Sequence, residues 1–179
     1  MIYAFIGLGI VLLIALWFIA VMNRLNTTKV KIDEASSGID VALTKRYDVL
    51  TKMMDTVRAY KEYEKETLTE VIKLRQGATV KEKNEFAAAM SDQIAKINVV
   101  AEAYPELRSS ENFVNFQKAI ADTEEHLQAA RRFYNSNVSA YNQMLVTFPD
   151  SIVANIKGLT KEDFFEAEEM KKQDVKINL

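Results

Sequence analysis

Cysteine is absent from the 179 residues, which removes disulfides, thiolate metal sites and cysteine nucleophiles. Only 5 Gly and 2 Pro interrupt the chain, so there are few turn signals and the helices between them must be long. Histidine occurs once, at His126, which rules out the two-histidine di-metal arrangement of helical carboxylate proteins. His126 follows Glu124 and Glu125, and three consecutive residues point around a helix rather than towards one ion, so a surface role is expected. The net charge of −2 supplies no basic field for nucleic acid. No Gly-rich phosphate loop, nucleophile elbow or dinucleotide fingerprint is present, and the acidic residues are scattered over solvated helix faces. No catalytic, cofactor or metal residue is therefore assigned, and no enzyme activity is expected.

What the sequence does contain begins with an apolar run. Residues 1–22 carry no charged side chain. A helix of that length rises about 33 Å, enough for a hydrocarbon layer of about 30 Å. A cleaved signal peptide would want a basic stretch first and a small-x-small site afterwards. Neither is there: no Lys or Arg precedes the run, and Ala20-Val21-Met22-Asn23 is a poor cleavage site. A retained transmembrane helix is expected over 1–22. Arg24, Lys29 and Lys31 follow it, a bias that predicts the N-terminus outside and the rest in the cytoplasm. Asp33 and Glu34 lie close by, which leaves the reverse orientation as the alternative.

The remaining chain, 23–170, reads as an all-α bundle. Leu25, Ile32 and Ile39 recur every seven residues, as do Leu43, Leu50 and Val57 on an adjacent line; seven residues are two helical turns, so each set lies on one stripe. Gly77, after Lys73 and Arg75, is a natural left-handed cap for this helix. Thr79 to Glu82 forms a capping box for a second helix with Phe86, Met90, Ile94, Ile97 and Ala101 inside, ended by Pro105. Ser110 caps a third, whose seam is Phe113, Ile120, Leu127, Tyr134, Tyr141 and Phe148, backed by Phe116, Thr123, Ala130, Asn137 and Met144. Pro149 stops it. Short helices capped at Gly158 and opened at Thr160–Asp163 should dock Phe164 and Phe165, and 171–179 should be a loose tail.

Taken as an antiparallel hairpin, the second helix turns back roughly level with residues 46 to 52. Residues 23–45 then form a stalk whose stripe, Leu25, Ile32, Ile39 and Leu43, needs a cover: the returning tail or, the favoured reading, neighbouring copies. Arg46 falls on the stripe of Ile32, Ile39 and Met53, near the turn holding Glu102 and Glu106. A buried ion pair with those carboxylates is the expectation, with Asn137 fixing register as buried Asn does in coiled coils. The pairs Tyr134-Asn135 and Tyr141-Asn142, one heptad apart, read as core tyrosines with hydrogen-bonding neighbours.

Three stretches carry a resemblance: Ile39-Asp40-Val41-Ala42-Leu43-Thr44-Lys45-Arg46-Tyr47-Asp48; Ala101-Glu102-Ala103-Tyr104-Pro105-Glu106-Leu107; and Thr123-Glu124 through Arg131-Arg132-Phe133-Tyr134-Asn135 to Tyr141-Asn142 and Phe148-Pro149. In this order the chain resembles the bacterial LemA family. Met53 and Arg108 depart from its usual pattern conservatively. The resemblance implies a helical bundle tethered by an N-terminal helix to the bacterial inner membrane, and it transfers no catalytic residue. Two functions follow as expectations: a self-associating membrane scaffold, or an adaptor for one membrane partner such as a protease or receptor.

Overall fold

The computed structural model describes residues 1–60 and 77–165. The described residues are all-α, in five helices: α1 (Ile2–Tyr60), α2 (Val80–Ala103), α3 (Pro105–Ser109), α4 (Glu111–Val146) and α5 (Asp150–Ile156). The expected end of the first helix at Lys73–Gly77 lies largely outside the described residues, as does the tail 171–179. Gly77 itself has a φ of 78°, the left-handed conformation that glycine adopts without Cβ strain.

Local chemistry sets the ends. Thr79 accepts from the Glu82 N–H while the Glu82 carboxylate accepts from the Thr79 N–H, a complete capping box at α2. Ser110 Oγ accepts from the Phe113 N–H at the start of α4. Gly158, with a φ of 62°, closes α5: its N–H donates to Asn155 O and the Leu159 N–H to Ala154 O, the Schellman pairing. No helix opens between Thr160 and Phe165. The Thr160–Asp163 cap is thus a correction, because these residues spend their hydrogen bonds on α4 instead.

The chain divides into two compact units, and α1 and α4 contribute to both. The first holds Met1–Ser36 and Phe133–Phe164. Within it α1 and the end of α4 run antiparallel: Arg24 meets Asp150, Thr28 donates to Met144 Sδ, and Lys29 lies over the Tyr141 ring. The second unit holds Ser37–Arg132 and Phe165–Leu179. There Lys83 pairs with Asp40, the Phe86 ring meets Tyr47 and Ser91 meets Arg46. Residue numbers rise together, so α2 runs parallel to α1. The two cannot be arms of one hairpin, which overturns the antiparallel register expected between them.

That register carried the stalk argument. Leu25, Ile32, Ile39 and Leu43 are 1%, 2%, 1% and 0% exposed in the single chain. The stripe is thus covered without a second copy, by α4 at Leu25 and Ile32 within the first unit and by packing within the second unit at Ile39 and Leu43. Assigning these four residues to an oligomer contact therefore loses its premise. The seam of α4 is Phe113, Thr123, Leu127, Arg131, Tyr134, Val138, Tyr141 and Leu145, all buried. Phe148 is 78% exposed because the helix has already ended at Val146, and Phe164 is exposed while Phe165 is buried.

α1 is one helix long and apolar enough to cross a membrane. Residues 1–16 are exposed all round, as a helix is when lipid is its solvent.

Candidate functional site

In the second unit, heptad spacing puts Arg46 on the buried stripe of α1, where it is 4% exposed. Its Nη2 donates to Ser91 Oγ at 3.1 Å and lies 2.9 Å from Glu124 Oε2. Ser91 hands its own hydroxyl proton to Ala87 O at 3.2 Å, the usual back-bond of a mid-helix serine, which leaves its lone pairs for Arg46. Glu124 is further held by Gln128, whose Nε2 donates to Oε1 at 2.7 Å. The pair thus joins all three long helices. Arg46 Nε and Nη1 have no hydrogen-bond partner.

A groove of about 590 Å³ lies beside them. Met53, Ile94, Ala95, Ile120 and Ala121 give it an apolar floor, with Arg46, Ser91 and Glu124 at one part and Asn98 and Gln117 at another. Asn98 and Gln117 are bonded to each other at 3.3 Å. The lining contains one cation and one anion already paired, so the groove suits a largely apolar segment with a neutral or weakly charged acceptor. Among the described residues no cluster of metal-ligating side chains exists.

Arg46 thus sits where the stripe placed it, with a different partner. Glu102 and Glu106 are exposed, because the parallel run of α2 carries the Pro105 turn away from Arg46. Asn137 does not hold register either. It is half-buried and donates to Phe133 O of its own helix at 2.9 Å, while Val138 fills the seam. His126 is exposed.

Sequence reasoning missed the second cluster, in the first unit. Asn142 makes two bonds to the main chain of Glu162: Nδ2 donates to Glu162 O and Oδ1 accepts from Glu162 N, each 2.9 Å. Tyr134 donates its hydroxyl to Asp163 O at 3.2 Å. Lys29 bonds the Glu162 carboxylate and stands 5.9 Å over the Tyr141 ring. Burial pushes the Tyr134 hydroxyl pKa up, and Glu162, Asp163 and Asp33 add to that. Tyr141 is also raised, by burial first, with Lys29 opposing. The signal was the repeated Tyr-Asn pair: a carboxamide beside a core tyrosine can copy a peptide group and clamp an irregular strand of chain.

The model of the LemA family matches residues 35–179. Protein LemA of Metamycoplasma hominis is 31% identical over 158 residues, 86% of this chain and 72% of that protein. The family match takes in the Arg46 cluster and all of the second cluster except Lys29, and stops short of the apolar run; on both counts the chain belongs to the LemA family.

Proposed function

We propose that this protein is a non-catalytic, membrane-anchored adaptor, held by residues 1–22 in a bacterial inner membrane, whose bundle binds one membrane-protein partner. The observation that carries the reading is the groove beside the Arg46–Glu124 pair, an apolar floor of Met53, Ile94, Ala95, Ile120 and Ala121 with the polar side chains of Ser91, Asn98 and Gln117 around it. A partner segment with small apolar side chains and a carbonyl or amide oxygen fits that lining. The fully covered stripe at Leu25, Ile32, Ile39 and Leu43 removes the main argument for the rival reading, a self-associating scaffold. The scaffold reading now rests on the exposed apolar length of α1 inside the bilayer alone.

Light scattering on the full chain in nanodiscs separates the two: a monomer supports the adaptor, and a discrete large homo-oligomer supports the scaffold. Crosslinking in cells then tests the groove. A photoreactive residue replacing Gln117 should capture one dominant membrane protein, and Arg46→Met should abolish the capture; equal capture by both variants would remove the groove from the reading. The basic flank of Arg24, Lys29 and Lys31 supports a cytoplasmic bundle. Because the chain has no cysteine, a single His126→Cys reports this directly: labelling by an impermeant maleimide only after permeabilisation agrees, and labelling of intact spheroplasts reverses the orientation.

A further inference from the structure

We propose that α5 and the turn before it form a second membrane contact, an apolar face seated in the bilayer interface beside the exit of the transmembrane helix. The inference rests on the anchor reading and goes beyond it. Three observations in the first unit converge.

The depth of α5 is fixed first. Asp150, its first residue, is buried and bonded to Arg24, two residues past the apolar run. One turn nearer the membrane Val21 is only 5% exposed, and Trp17 and Phe18 are half-buried, in contrast to the all-exposed residues 1–16. Protein therefore packs against the last turns of the apolar run. A tryptophan at that point fits the aromatic belt at the headgroup level.

Next comes the face. Asp150, Val153 and Ala154, spaced i, i+3 and i+4, are the buried side of α5. Ile152 and Ile156, four apart, are on the other side at 43% and 67% exposure, and just before α5 Phe148 and Val146 are 78% and 63% exposed. Such side chains in water beside a soluble bundle would be a liability. Lys157 directly after Ile156 is exposed, and an ammonium on a long apolar stem reaches headgroup phosphates while its stem stays with the acyl chains.

The occupant follows. The Arg24–Asp150 contact holds α5 at the level where α1 leaves its apolar run, so on the anchor reading a bilayer is already beside it. Four side chains also offer far less than the ~1,000 Å² a stable protein interface needs. A second copy of the chain is thus the weaker fit.

Trp17 is the sole tryptophan, which gives the test its internal control. The full chain and a Trp17→Phe/Phe148→Trp variant are placed in phosphatidylglycerol–phosphatidylcholine vesicles, with lipids brominated near the top of the acyl chain. The expected result is strong quenching of Trp17 in the native chain and quenching at least half as strong of the tryptophan at 148, with weak quenching of both by acrylamide. Quenching of Trp17 but not of the residue at 148, which acrylamide then reaches, overturns this proposal alone. If neither responds to brominated lipid, the anchor reading fails and this one with it. Shielding at 148 from both quenchers assigns the face to a second copy and also overturns the proposal. Position 148 is exposed, so folding is not at stake; a second reporter, Ile156→Trp, must behave alike.

Discussion

The two units handle cations in opposite ways. In the first, the side chains of Arg24 and Lys29 are 59% and 42% exposed, Arg24 reaching in to the buried carboxylate of Asp150 and Lys29 to the half-buried Glu162. In the second, those of Arg46 and Lys83 are each 5% exposed, Arg46 2.9 Å from Glu124 and Lys83 2.7 Å from Asp40. Water screens the Lys29–Glu162 pair, which contributes about 0–1 kcal/mol. The first unit is held instead by its apolar seam and by Asn142 gripping a peptide group. In the second kind the cation has lost its hydration while Glu124 and Asp40 keep part of theirs, so removing the carboxylate strands a buried charge at the low end of about 3–5 kcal/mol.

The largest effect should come from the stripe they have in common as a motif. Ile39→Asp puts an unpaired carboxylate at a site only 1% exposed, and a loss above ~4 kcal/mol is expected. Thermal melts by circular dichroism check it. A variant that keeps its melting temperature but changes its size would restore the contact between copies and break the comparison.

Glu124→Ala comes next. It leaves the buried guanidinium with Ser91 alone, and because Glu124 is 27% exposed the loss should sit at the low end, about 3 kcal/mol. Arg46→Met with Glu124→Leu should recover most of it in urea unfolding, since a buried pair replaced by packed apolar groups is often neutral. Asn142→Ala removes two bonds and should cost about 1–3 kcal/mol. Hydrogen exchange should show lost protection at residues 159–165 and none around Arg46. Equal loss in both places would mean the units do not differ as described.

Much of this was legible in the sequence, and the failures have a single source. Heptads placed Leu25, Ile32, Ile39, Leu43, Phe113 and Leu127 inside, and capping chemistry marked Thr79, Ser110 and Gly158. Periodicity gives the face of a helix but not the direction of its neighbour. With α2 taken as antiparallel to α1, Arg46 met Glu102 and Glu106 on paper, and the stalk looked bare. Glu124 lies 78 residues from Arg46, and no local pattern ties them. The Asn142 clamp was hidden for a related reason: its partner is a main-chain group, which any residue at 162 would supply.

The smallest effect is one of pH. The Tyr134 hydroxyl is raised above its ordinary value of 10.0, by burial before the charges of Glu162, Asp163 and Asp33. A raised folded value means the unfolded chain gives up its proton first. The stability held by neutral Tyr134 is thus complete below about pH 10, the unfolded value, and falls as pH rises from there through the folded value. Ionisation also destroys the donor to Asp163 O, so the loss should loosen the chain at 159–164 in particular. Absorbance at 295 nm should show Tyr134 titrating late, as a step missing from a Tyr134→Phe variant. In Asn142→Ala the same step should move back towards 10, because an unclamped segment lets water reach the hydroxyl and carries Glu162 and Asp163 away from it. An unmoved step would show that the seam of α4, and not the clamped chain, keeps this tyrosine dry.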